Sequence, residues 1–120
     1  MRDIQLVLER WGAWAANDNS QVDWPHIAAG FKGLLPMNEN SRSPCSDDEG
    51  ILVDKCVVHL KKYRVEEYEL IVLHYIYNLS LRRIARRRHC SDGTIRKEIQ
   101  TAEGFIIGCL CVCDIENIIR

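Results

Sequence analysis

Residues 80 to 102 hold two serine-led apolar repeats separated by a short polar turn, and that order fits two short crossed helices better than any strand arrangement. Ser80 precedes Leu81 and Ile84; Ser91 precedes Ile95 and Ile99. A serine in that place caps a helix, because its hydroxyl accepts a backbone N–H that has no partner in the first turn. His89-Cys90-Ser91-Asp92 supplies the turn, and Cys90 is expected to point inward. Leu81, Ile84, Ile95 and Ile99 then form a small shared core, with Ala85 where the helices approach most closely.

The same window concentrates charge. Arg82, Arg83, Arg86, Arg87, Arg88, Arg96 and Lys97 are opposed only by Asp92 and Glu98. The chain as a whole carries 16 Lys+Arg and 17 Asp+Glu, for a net charge of -1. A nearly neutral protein with its cations on one element has a place for a polyanion, and a nucleic-acid backbone is the obvious one. Ser91, Asp92, Gly93 and Thr94 open the second helix, where backbone amides bind phosphate. Gly93 removes a side chain where backbone and nucleic acid would approach. Arg96, Lys97 and Gln100 are expected to read bases, since Arg and Lys match guanine and Gln matches adenine in the major groove. Arg82, Arg83, Arg86 and Arg87 are expected to clamp phosphates.

The remainder reads as helix. Asp3 caps a helix over 3–16 with Ile4, Val7, Leu8, Trp11, Trp14 and Ala15 on one face. A second helix starts at Asp23-Trp24-Pro25, and residues 36–44 make a proline-bounded linker. Ser46-Asp47-Asp48-Glu49 is a capping box for a third helix with Leu52, Val53, Cys56, Val57 and Leu60 inside. A fourth runs from about 65 to 77 with Tyr68, Ile71, Val72 and Tyr75 on one face. The last runs from 92 to about 112 or further, and residues 114–120 are apolar enough to pack but too short to interpret. The expected fold class is all-α: one helical domain over 1–120, made of an N-terminal arm (1–35), the linker (36–44) and a helical core (45–120) with the helix–turn–helix at 80–102. The tryptophans of the arm are expected to pack two helices together.

Several function classes find no support. No apolar run is long enough to span a membrane, and the first residues lack a signal peptide's apolar stretch. No phosphate-cradling glycine loop, nucleophile elbow or zincin motif occurs, so no enzyme is expected. The six cysteines contain no Cys-x-x-Cys pair, and Cys109, Cys111 and Cys113 are spaced by two, which sends neighbouring members to different helix faces. Free thiols, no metal and no cofactor are expected. Asp47, Asp48 and Glu49 are explained by helix capping without a metal.

Two resemblances follow from these residues. Ser91-Asp92-Gly93-Thr94-Ile95-Arg96-Lys97 resembles the recognition helix of sigma-factor region 4. Over nearly the whole chain, Met1–Ala16, Ile27–Leu34, Cys45–Asp48, Cys90–Thr94 and Thr101–Gly104 are similar in order to the lambdoid phage and prophage antitermination protein Q family. That resemblance implies a transcription factor in the host bacterial cytoplasm. It implies double-stranded DNA near the late promoter as one partner and RNA polymerase still holding sigma as another. The protein would load onto paused polymerase and carry it through pauses and terminators, with nascent RNA at or near the complex. The aromatic arm and the 36–44 linker become candidate polymerase-binding surfaces. Some members carry a zinc knuckle with paired cysteines; this chain lacks the pairs, so no zinc site is carried over. The competing expectation is a helix–turn–helix repressor or activator that self-associates as a dimer on DNA.

Overall fold

A computed structural model of the chain describes residues 3–16 and 44–119, with side chains to residue 113. The helix expected to start at 23, and with it Trp24 and all of the linker except Pro44, lies outside the described residues. Five helices and no strand occur among those described: α1 (Ile4–Trp14), α2 (Asp47–Tyr63), α3 (Val65–Ile71, continued by a π-helical turn over Val72–Ile76), α4 (Leu81–Arg87) and α5 (Asp92–Ile119). None is long and apolar enough to cross a membrane.

The helix starts are set by local chemistry. The Asp3 carboxylate accepts from the Gln5 and Leu6 amides at 3.1 and 3.4 Å. Ser46 Oγ accepts from the Glu49 amide at 3.3 Å, and Asp47, Asp48 and Glu49 put negative charge at the positive end of the α2 dipole. The last helix, expected from 92 to about 112 or further, reaches Ile119.

Two apolar clusters hold these helices. The larger joins α1, α2, α3 and α5 around Leu8, Trp11, Trp14, Val57, Leu60, Tyr68, Ile71, Ala102 and Ile106. The smaller joins α3, α4 and α5 around Leu70, Leu73, Leu79, Ile84, Ala85, Ile95 and Ile99. Helix α3 and its π turn serve both, so Tyr68, Leu70, Ile71, Val72, Leu73, Tyr75 and Ile76 are all buried. A single stripe therefore underestimates this segment, which is apolar almost all round because it lies between two cores.

Trp11 and Trp14 are buried, as core residues should be, and this removes them as an exposed surface for a partner. Their indole N–H groups are satisfied at distance in sequence. Trp11 Nε1 donates to the buried Asp54 carboxylate and Trp14 Nε1 to Asp47, both at 3.0 Å. The Trp14 ring lies against the α2 backbone at Gly50, where an added Cβ would stand 2.4 Å from two indole carbons. In an exposed helix interior, Gly→Ala stabilises by about 1 kcal/mol. At Gly50 the sign reverses: Gly50→Ala is expected to destabilise by about 1–3 kcal/mol because Trp14 must move. Gly104 on α5 has nothing within 4 Å of an added Cβ, and Gly104→Ala is expected to stabilise. Urea unfolding of the two variants checks the contrast.

A second buried polar pair fastens the π turn to α5. The Tyr75 hydroxyl donates to Glu103 Oε2 at 2.6 Å, and both groups are buried. Burial, and then the Glu103 carboxylate, raise the Tyr75 pKa, so the phenol keeps its proton and the bond persists. The chain turns out of the π segment through Asn78, whose φ of 60° is tolerable for asparagine. His74 Nδ1 lies 2.8 Å from the Leu79 carbonyl; a carbonyl only accepts, so Nδ1 carries the hydrogen.

Candidate nucleic-acid interface

Helix α4 has only seven residues and could not persist alone. Its cap and its buried side hold it. Ser80 Oγ accepts from the Arg83 amide at 3.1 Å, and Ile84 and Ala85 are buried in the smaller cluster. That fixes the other side outward, and Arg82, Arg83, Arg86 and Arg87 are exposed. Arg88 behaves differently. It is half-buried and its guanidinium lies 3.5 Å from Glu69, tying α4 to α3.

The turn closes by a Schellman arrangement. The Cys90 amide donates to the Ala85 carbonyl at 3.0 Å, and the His89 amide to Arg86 at 3.3 Å. This places His89 in the left-handed region at φ 57°, a conformation that a glycine would adopt without steric cost. Cys90 is exposed, contrary to its expected inward position. Ile84, Ala85, Ile95 and Ile99 fill the space between the helices together with Leu70, Leu73 and Leu79, so no volume is left for the thiol. Leu70 and Leu73 of the α3 segment, and Leu79, were not foreseeable as part of this core from the two-helix pattern.

Helix α5 begins at a second serine cap. Ser91 Oγ accepts from the Thr94 amide at 3.1 Å and lies 2.9 Å from Thr94 Oγ1. Both hydroxyls are thus engaged with each other, and the Thr94 methyl is the part of that side chain left uncommitted. Ser91, Asp92, Gly93 and Thr94 are exposed. An added Cβ at Gly93 would meet nothing closer than Ser91 Oγ at 3.8 Å, so packing within the protein does not require glycine there.

Ile95 and Ile99 are buried one turn apart. The helical period then sends Arg96, Lys97 and Gln100 to the opposite side, and all three are exposed. All eleven residues singled out from the sequence therefore lie on the surface of α4, the cap and the first turns of α5. Arg82, Arg86, Arg87, Arg96 and Lys97 make no ion pair with any described residue. What results is a proud, capped helix start flanked by the exposed guanidinium groups of Arg82, Arg86 and Arg87.

Comparison with known proteins adds an independent line. The family model described as "Phage antitermination protein Q" matches residues 1–117. The chain is 53% identical over 110 residues to a probable antitermination protein Q of Acyrthosiphon pisum secondary endosymbiont phage 1, covering 91% of this chain and 74% of that protein. It is 47% identical over 115 residues to the prophage antitermination protein Q homolog QuuD of Escherichia coli strain K12, covering 96% and 91%. Among solved structures, transcription antitermination factor Q21 superposes with a TM-score of 0.72 at 20% identity, over 95% of this chain and 89% of that one. The same factor in complex with Q21-binding-element DNA gives 0.71 at 19% identity, over 98% and 93%. At that identity the likeness establishes a shared fold.

Proposed function

The chain belongs to the phage antitermination protein Q family, and from that premise we propose that it binds duplex DNA near a late promoter through α4 and α5. It then loads onto paused, sigma-bearing RNA polymerase and carries it past pauses and terminators. The observation that carries the DNA step is the exposed run Arg96, Lys97 and Gln100 beside Arg82, Arg86 and Arg87, which no described carboxylate neutralises. A factor of the same fold is named in complex with its own binding-element DNA, which supports duplex DNA as the partner class. The protein acts here as a regulator without catalysis, in the host cytoplasm, and nascent RNA passes at or near the complex.

Within the interface the roles divide by position. Ser91, Asp92, Gly93 and Thr94 present the helix start to a phosphate, with Gly93 leaving room for backbone approach. Arg82, Arg83, Arg86 and Arg87 hold the duplex backbone. Arg96, Lys97 and Gln100 face base edges. Arg96→Ala or Gln100→Ala is expected to weaken the cognate site by about 1–3 kcal/mol and to relax base preference at one position. Arg83→Ala is expected to weaken all sequences alike. Competition binding against a randomised duplex pool separates the two; equal loss of preference in all three variants contradicts the division.

The function itself is tested by transcription in vitro past an intrinsic terminator. The expected result is readthrough that requires both this protein and the upstream DNA element. Inhibition of initiation without readthrough would instead mark a repressor.

A further inference from the structure

The seam between α2 and α5 holds chemistry that DNA binding does not use. Cys56 on α2 is buried, and Cys109 and Cys113 on α5 pack against the cluster that contains it. Cys109 and Cys113 lie one helical turn apart and are half-exposed. All three line one groove between α2 and α5, open to solvent, which His59 and Lys55 also border. Cys90 and Cys111 stand apart on the surface.

Three thiols lining one groove can serve a metal or one another. Among the described residues no group of three donors is placed to hold a metal ion. We propose that Cys56 with Cys109 and Cys113 forms a reversible disulfide site, closed by low-molecular-weight disulfides such as oxidised glutathione, that locks α2 to α5. In the first step the Cys113 thiolate attacks one sulfur of the glutathione disulfide. That S–S bond breaks, and one glutathione leaves as a thiolate that takes up the proton Cys113 gave up. In the second step the Cys56 sulfur attacks Cys113 in the mixed disulfide, forming the intrachain bond and releasing the second glutathione. Two protein thiols are oxidised and one glutathione disulfide is reduced to two thiols. Cys109 can then attack Cys56 and move the bond to Cys56–Cys109, freeing Cys113 with no net oxidation.

Burial, reinforced by Cys109 and Cys113, pushes the Cys56 thiol up to about 12. Near neutral pH Cys56 is therefore protonated and the second step is slow. The ionisable neighbours along the groove are Lys55, His59 and Tyr63 on α2 and the two α5 thiols. The site consequently stays reduced until disulfide stress is strong or prolonged.

The test uses the full chain carrying Cys90→Ser and Cys111→Ser, which removes the two exposed thiols. It is incubated with millimolar oxidised glutathione at mildly alkaline pH and mapped by non-reducing peptide mass spectrometry. The expected product is a monomer short of two hydrogens, with Cys56 linked to Cys113 or Cys109. Its thermal midpoint should rise by about 5–10 °C and return on reduction with dithiothreitol. Cys56→Ser in the same background should stop at a glutathione adduct. The peptide map alone decides the matter should that variant fail to fold. Glutathione adducts or interchain bonds that leave Cys56 free, or no reaction at all, would overturn the proposal.

Discussion

Ile95→Asp is expected to destroy the helix–turn–helix. Ile95 is fully buried between α4 and α5, against a cluster supplied by three helices and the segment before α4. Removing the isoleucine side chain forfeits about 2–5 kcal/mol of burial and packing. A carboxylate placed there adds a penalty of several kcal/mol, or protonates and remains an unsatisfied polar group. Together these rival the whole net stability of a domain this size, about 5–15 kcal/mol. Hydrogen exchange is expected to show loss of protection in α4 and the first turns of α5, and DNA binding should disappear with it. Ile95→Val removes one methylene and should cost only about 0.5–1.5 kcal/mol. Unfolding of the aspartate variant within about 1 kcal/mol of the parent would contradict the assignment of Ile95 to the core.

Trp11→Ala is expected to have the next largest effect. Trp11 is the largest of the fully buried side chains, and it joins α1 to the rest of the larger cluster. Its loss leaves a cavity worth about 3–5 kcal/mol. It also removes the indole donor from Asp54, a carboxylate that is only 5% exposed. Trp11→Phe keeps most of the ring and loses the 3.0 Å bond, so it should cost about 1–3 kcal/mol. Urea unfolding of the two variants separates packing from hydrogen bonding. Equal costs would show that the cavity contributes little and that α1 is loosely attached.

How far the sequence reaches into this structure depends on the range of the interaction involved. Asp3, Ser46, Ser80 and Ser91 were legible as caps because a cap is a contract among residues three apart. The outward placement of Arg96, Lys97 and Gln100 was legible because Ile95 and Ile99 fix the helical phase. The two-sided burial of α3 was not, since a stripe on one face says nothing of a second core behind it. Cys90 went astray for the same reason: Leu70, Leu73 and Leu79, distant in pattern, already occupy the space. The pairs Trp11–Asp54 and Tyr75–Glu103 join residues 43 and 28 apart, and no local spacing announces them. Arg88 looks like its neighbours in the arginine run, yet its ion pair with Glu69 gives it a structural task. The thiol cluster escaped a reading by spacing of two because its members are Cys109 and Cys113, four apart, and a cysteine on another helix.

In the proposed function, the exposed start of α5, with the arginines of α4, is a duplex-binding surface. The most direct measurement is the affinity of the purified chain for its promoter-proximal duplex as a function of salt. With about three phosphates neutralised, log K should fall with log salt at a slope of about −2.7, a tens-fold loss between roughly 50 and 200 mM. Replacing Arg82, Arg86 and Arg87 together with alanine should flatten that slope. Absent binding, or an affinity indifferent to salt and to those three arginines, would contradict the claim.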